Sequence, residues 1–296
     1  MMVKLKQGLA TALAAGALAM SMPASAAIVG GIDFGVLGSD PFRSHLETAT
    51  IAATFAQAVG DTSTSYGYIA TVNGDVTYCQ GNNANCSLYF IATNTVSAAV
   101  PTGNPGQTAL YFDDTEITVY YSAAPAANLL TQDSAANLAF ISALTPWATL
   151  NGENGTDATA DGLAADTKVN QTLAGAGAGS IVVAGGGLLS INLADGLGDA
   201  FVEAFLDANT ILTANGTFAD IIYTESANNN NLNPFDVLNG SADSCLTGAP
   251  VVGEWCLQGS ADLRGNTVIP EPGSLALVGL AVAGLGLARR RRSIAR

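Results

Sequence analysis

Five short segments between residues 48 and 122 restrict this chain more tightly than any motif in it. TATIAATFAQ (48–57), SYGYIATV (65–72), DVTYC (75–79), CSLYFIAT (86–93) and TEITVYYS (115–122) are rich in Thr, Tyr, Val and Ile, with clusters of Gly, Asn, Asp and Pro between them. β-Branched and aromatic side chains fit a pleated, half-buried surface, and the intervening residues favour turns. In TEITVYYS, Ile117, Val119 and Tyr121 fall on one face and Glu116, Thr118 and Tyr120 on the other. That period of two is what a strand with one buried face requires. Further strand-like runs follow: GSIVVAG (179–185), LLSINLA (188–194), AFVEAFLD (200–207), NTILTA (209–214), FADIIYTE (218–225) and SADLRGNTVI (260–269). Short strands at such spacing predict an all-β chain, mainly antiparallel, of β-sandwich or jelly-roll-like type. One stretch departs from the pattern. In residues 126–144, Leu129, Leu130, Ala136, Leu138, Phe140, Ile141 and Leu144 come close to helical spacing before Pro146, which predicts a short helix, although paired short strands fit as well. NGENGTDATADG (151–162) reads as a surface loop. No linker separates the early strands from the late ones, so residues 27–268 read as one domain.

The charge of that domain is extreme. The chain has 10 Lys and Arg against 24 Asp and Glu, a formal net charge of −14. Seven of the basic residues lie at the two ends: Lys4, Lys6, Arg289, Arg290, Arg291, Arg292 and Arg296. Residues 27–268 keep only Arg43, Lys168 and Arg264 against 23 acidic residues, every one except Glu271, and so carry a net charge of −20. Such a body repels phosphate, which excludes nucleic acid as a partner. It also stays soluble and clear of anionic surfaces. With so few cations, its fold must rest on apolar burial and backbone hydrogen bonds.

The ends are targeting segments. At the start, Lys4 and Lys6 precede an apolar stretch (8–20), Pro23 breaks it, and Ala24-Ser25-Ala26 supplies a small-x-small cleavage site, so that 1–26 is a signal peptide and the mature chain begins at Ala27. The apolar run is about a dozen residues where a membrane span needs roughly 20, which argues against a permanent helix. At the far end stand Pro270-Glu271-Pro272, an apolar Gly-rich stretch (273–288) expected to be helical, and the cluster Arg289, Arg290, Arg291 and Arg292. The two prolines fix φ and bar helix continuation, leaving an extended site open to a protease. The apolar stretch partitions into a bilayer, and the arginines resist translocation and act as a membrane stop. A permanent anchor is the alternative; a GPI signal would end in apolar residues instead of arginines.

Segment 269–296 resembles the tripartite tail of PEP-CTERM proteins of Gram-negative bacteria. The resemblance implies recognition and cutting near the Pro-Glu-Pro motif by exosortase, a membrane protease. It also implies a transmembrane stage before cleavage and delivery to the cell surface or extracellular matrix. PEP-CTERM systems are associated with exopolysaccharide, biofilm and floc formation, so matrix polysaccharide is the implied partner. Within the family the body resembles the flocculation-associated members, being β-rich and poor in Lys, with a late FADIIYTES strand before the motif.

Four cysteines suit an oxidising compartment. Three connectivities are open, and proximity favours disulfide bonds pairing Cys79 with Cys86 and Cys245 with Cys256. A metal site is a poor alternative, since the spacings are not CxxC and the single histidine, His45, lies far from both pairs.

Catalytic motifs are sparse. His45, beside Arg43 and Glu47, is the one imidazole a Ser-His-Asp triad could use, yet no serine sits in GxSxG. Asp61-Thr62-Ser63 has no second copy and reads as a turn; the Gly-rich run 174–187 lacks a phosphate-loop pattern and reads as an inter-strand loop. No cofactor is indicated. Calcium is the one ligand the loops suggest, through oxygen donors on Asp113, Asp114, Glu116, Asp157 and Asp161, but without EF-hand spacing; solvated acidic loops are the alternative. Trp147 and Trp255 would stack on sugars if exposed, or pack in the core. The expectation is a non-enzymatic surface or matrix protein. The alternative is a secreted hydrolase of matrix polysaccharide using two converging carboxylates. A subunit recruiting neighbours through open strand edges is a third class.

Overall fold

The computed structural model describes residues 27–35, 44–81, 83–153, 169–177, 179–213 and 216–268. The signal peptide, the sorting tail, Arg43, Lys168, Asp157 and Asp161 fall outside them. About half of the described residues are strand. In order the strands are β1 (Ile28–Val29), β2 (Ile32–Asp33), β3 (Ser44–Thr54), β4 (Thr62–Val72), β5 (Ser87–Pro101), β6 (Gln107–Ser122), β7 (Thr145–Gly152), β8 (Val169–Ala174), β9 (Val182–Ile191), β10 (Ile211–Leu212), β11 (Phe218–Ala219), β12 (Ile221–Asn228) and β13 (Trp255–Gly265). The helices are α1 (Ser134–Ser142), α2 (Ala200–Leu206), α3 (Pro234–Leu238) and α4 (Asp243–Leu246).

Nine strands form one antiparallel sheet in the order β12-β13-β3-β4-β5-β6-β7-β9-β8, and additional pairings of β12 with β9 and of β6 with β8 close it. β7 and β8 share one slot. Residues 116–121 of β6 pair with β7 and residues 107–112 with β8, while β9 pairs with both on the other side. The slot is therefore filled end to end by β7 and β8. Counted so, each strand lies beside its neighbours in sequence, as in an up-and-down barrel. The all-β, antiparallel expectation holds. Closure replaces the anticipated two packed sheets, because β13 returns to pair with β3 from Gly265↔Ser44 to Trp255↔Thr54. That closure also takes away most of the open edges on which lateral recruitment would rest.

Several runs fold otherwise than their composition suggests. AFVEAFLD is α2, not a strand. Asp199 caps it by accepting from the backbone N–H groups of Phe201 and Val202, and the buried Val202, Phe205 and Leu206 follow helical spacing. DVTYC makes only isolated bridges at Asp75 and Cys79. GSIVVAG and LLSINLA merge into β9 through Gly185-Gly186-Gly187, so half of the run read as an inter-strand loop is strand. The expected helix near 126–144 appears as a 3-10 turn (Leu129–Thr131) followed by α1, capped by Asp133.

Inward residues such as Leu46, Ile69, Leu88, Phe90, Ile117, Val119, Leu189 and Leu263 form the main core. A second cluster lies outside the wall, where Ile51, Tyr66 and Tyr89 pack under Leu129 and Ile141 of the covering segment. At the end where β3 begins and β13 finishes lie the β1–β2 hairpin, α2 and the β10–β11 hairpin. Trp147, buried there, donates from its indole N–H to Gly30 O at 3.1 Å. Gly30 has φ +56, and a Cβ would fall 2.4 Å from the indole nitrogen, so only glycine fits. α3 lies on the outer wall and α4 beside the start of β13. Each cysteine pair is a disulfide, Cys79–Cys86 and Cys245–Cys256.

Candidate functional site

Alternate residues of every barrel strand must face inward. That rule sends Thr48 and Thr50 of β3, Ser63 and Ser65 of β4, Asn94 of β5, Gln171 of β8, Glu225 of β12 and Ser260 of β13 to one polar zone of the interior, beside Phe90, Val183 and Leu257. The space among them gives water centres about 40 Å³. At roughly 10–15 Å³ per water it holds a few solvent molecules and no sugar ring.

Glu225 is the charged centre of this zone. Gln171 Nε2 and Tyr223 Oη donate to its two carboxylate oxygens. Gln171 and Glu225 flank Gly185 on β8 and β12, each as its register partner. A Cβ on Gly185 would lie 1.9 Å from Asn170 O and 2.7 Å from Gln171 Cα, so the glycine lets the side chains of two non-adjacent strands meet across β9. Burial raises the Glu225 carboxyl above its ordinary range, and the two hydrogen bonds only partly oppose this. Burial first, and the neighbouring carboxylate second, push the Tyr223 phenol well above its own range. Nearby, Asn94 Oδ1 and Thr115 Oγ1, register partners on β5 and β6, are buried and have no hydrogen-bond partner. Glu225 is the one carboxylate among the described residues lining the cavity. Paired-carboxylate cleavage needs a second one about 5–9.5 Å away.

A different polar group occupies the outer wall. His45 Nε2 lies 3.8 Å from Glu47 Oε1 and 3.7 Å from Asp262 Oδ1. These donors could in principle face a cation. Arg264, however, is already among them: its Nη2 is 2.9 Å from Asp262 Oδ2, and its Nε donates to His45 Nε2 at 3.4 Å. Thr71 Oγ1 donates to Glu47 Oε2 at 2.6 Å. Arg264 is the one Lys or Arg among the described residues, and it is spent neutralising this patch.

The other sequence candidates are dispersed. Asp113, Asp114 and Glu116 lie within β6, not on a loop, with Asp114 and Glu116 exposed. The close three-donor groups among the described residues lie elsewhere, and one of them consists of Glu254 and the bonded Cys245 and Cys256. Asp61 holds a turn by accepting from the N–H groups of Gln57 and Ala58. Trp147 is buried and Trp255 packs edge-on against Tyr66, so both are structural. Sequence reasoning missed the Glu225 zone. Its only local signal is a lone Glu in phase with inward Ile221 and Tyr223.

No helix among the described residues is long and apolar enough to cross a membrane. The apolar stretch 273–288 is outside that set. Residues 268–292 match the PEP-CTERM protein-sorting motif, which takes in Pro270-Glu271-Pro272, the apolar stretch and the four-Arg cluster. No curated protein and no protein of solved structure matches the chain. The motif marks an exported protein sorted through exosortase, in association with the membrane, to the cell surface.

Proposed function

We propose that the barrel is the non-enzymatic cargo of this sorting route, a component of the extracellular matrix that contributes to exopolysaccharide-dependent biofilm or floc formation. The observation that carries the reading is the sorting motif starting at residue 268, three positions after β13 closes the barrel at Gly265. A folded, strongly acidic body is thus joined directly to a removable address. Among the described residues a single carboxylate lines the cavity, and this and the cavity's narrowness fit cargo better than a polysaccharide-cleaving site. Matrix polysaccharide would meet the outer surface, where divalent cations can bridge carboxylates on both partners.

Deletion of the gene, followed by an aggregation assay, tests this. The expected result is loss of flocs, restored by the full chain and not by a chain ending at residue 268. Flocs that persist without the gene refute the role. Hydrolysis of matrix polysaccharide by the purified chain, abolished in Glu225→Gln, would establish the hydrolase reading instead.

A further inference from the structure

Both ends of the body leave the barrel at one place. The mature N-terminus enters through β1, whose Ile28 lines a shallow depression with Phe201 and Phe205 of α2. The C-terminal run leaves beside the same helix: Val268 N donates to Phe205 O at 2.8 Å, and Asn266 Nδ2 donates to Thr210 Oγ1 at 2.8 Å, ahead of the β10–β11 hairpin. Around this exit the surface is apolar. Phe201 is 83% exposed and Leu212 66%, and Leu212 sits opposite Phe218, also exposed, in the hairpin. Ile28, Leu197 and Val268 are exposed as well. Helix α2 buries its Val202 and Phe205 side, which leaves Phe201 turned outward at the edge of that depression.

The chain beyond Val268 says what lies close to this collar. Its apolar stretch begins at Gly273, five residues on. At about 3.3–3.6 Å per residue those five steps span at most roughly 18 Å. When the stretch is in a bilayer, the exit end of the barrel is held within that distance of the headgroups, whereas α3, on the outer wall, and α4, beside the start of β13, stand farther off. We infer that the collar of Ile28, Leu197, Phe201, Leu212 and Phe218 docks on the lipid surface while the tail is inserted, and so holds the Pro-Glu-Pro site at the membrane face. The inference rests on the sorting reading of the tail and adds to it an orientation of the body. Large apolar side chains enter the interfacial layer of a bilayer. Asp195 and Asp199 beside them keep the contact shallow and disfavour anionic headgroups.

The full chain in phosphatidylcholine vesicles with brominated acyl chains tests this. Flotation first reports whether the tail holds the chain on the membrane. Phe201→Trp, with Leu212→Trp as a second reporter should the first not fold, is compared with Leu238→Trp on α3, which is also exposed at 79% but lies on the outer wall away from the collar. Fluorescence is read as the difference from the unsubstituted chain. The expected result is bromine quenching several-fold stronger at Phe201→Trp or Leu212→Trp than at Leu238→Trp, reduced when phosphatidylglycerol is added. A floating chain with equal quenching at both positions, or stronger quenching at Leu238→Trp, overturns the docking and leaves the tail reading intact. A chain that does not float overturns both.

Discussion

The wall beneath α1 and the interior of the barrel both bury polar groups, yet they treat them in opposite ways. Outside the wall, Tyr66, Ser134, Asn137, Asn233 and Asp236 are all nearly inaccessible to solvent. Ser134 donates from its N–H to Asp236 Oδ1 at 2.9 Å and from its hydroxyl to Oδ2 at 2.5 Å. With that proton committed, the Tyr66 hydroxyl donates to Ser134 Oγ, at 2.9 Å, and receives from Asn137 Nδ2 at 2.9 Å and Asn233 Nδ2 at 3.3 Å. Among the described residues no cation lies beside Asp236; the N-terminus of α1 offsets its charge. Every member is satisfied, and the network ties β4, α1 and α3 together. In the interior, Glu225 is held by two donors while Asn94 Oδ1 and Thr115 Oγ1 go without. A saturated network fixes a structure. An unsaturated one leaves hydrogen-bonding capacity for whatever enters the space.

Breaking the saturated network should have the largest effect. Asp236→Ala strands both Ser134 donors in a buried site and is expected to lower stability by about 3 kcal/mol, measured by denaturant unfolding of the oxidised chain. A loss below about 1 kcal/mol would mean that the network is solvated and does not pin α1 to the wall. In the interior the sign should reverse. Thr115→Val replaces an unpartnered hydroxyl by a methyl of similar shape and is expected to gain about 1 kcal/mol. A loss of that size would show that the Thr115 hydroxyl is hydrogen-bonded in solution.

The smallest effect concerns pH. Because the folded Glu225 carboxyl titrates above its unfolded value, the folded state holds that proton more tightly than the unfolded chain does. Its contribution to stability is therefore greatest below the ordinary carboxylate range and declines as pH rises through the raised folded value. Glu225→Gln removes this titration. As pH rises above the ordinary carboxylate range, the melting temperature of the parent should fall relative to that of the variant. Parallel pH profiles would place Glu225 in contact with bulk water.

The two regions also differ in how far they could be read from sequence. The outer wall announced itself through Leu129, Leu138 and Ile141 at helical spacing, although Asp236, 102 residues from Ser134, could not be anticipated as its partner. The strands β3, β4, β5 and β6 were legible because Thr, Val, Ile and Tyr alternate there. AFVEAFLD misled because its composition suits either element, and the deciding signals were Asp199 as a cap and the period of Val202, Phe205 and Leu206. Barrel closure was not legible, since it depends on β13 pairing with β3 about two hundred residues away. The interior site depends on that closure: Gln171 and Glu225 meet only once β8, β9 and β12 lie side by side with Gly185 between them. The sorting motif was fully legible, since its chemistry is carried by a contiguous segment.

Whether an acidic barrel is parted from a disposable basic tail is decided by the intact mass of the protein recovered from the cell surface. The expected surface form begins at Ala27, carries both disulfides and lacks Arg289, Arg290, Arg291 and Arg292, with cleavage near Pro270-Glu271-Pro272. A surface form whose mass still includes the apolar stretch and the arginines would contradict it and make the tail a permanent anchor.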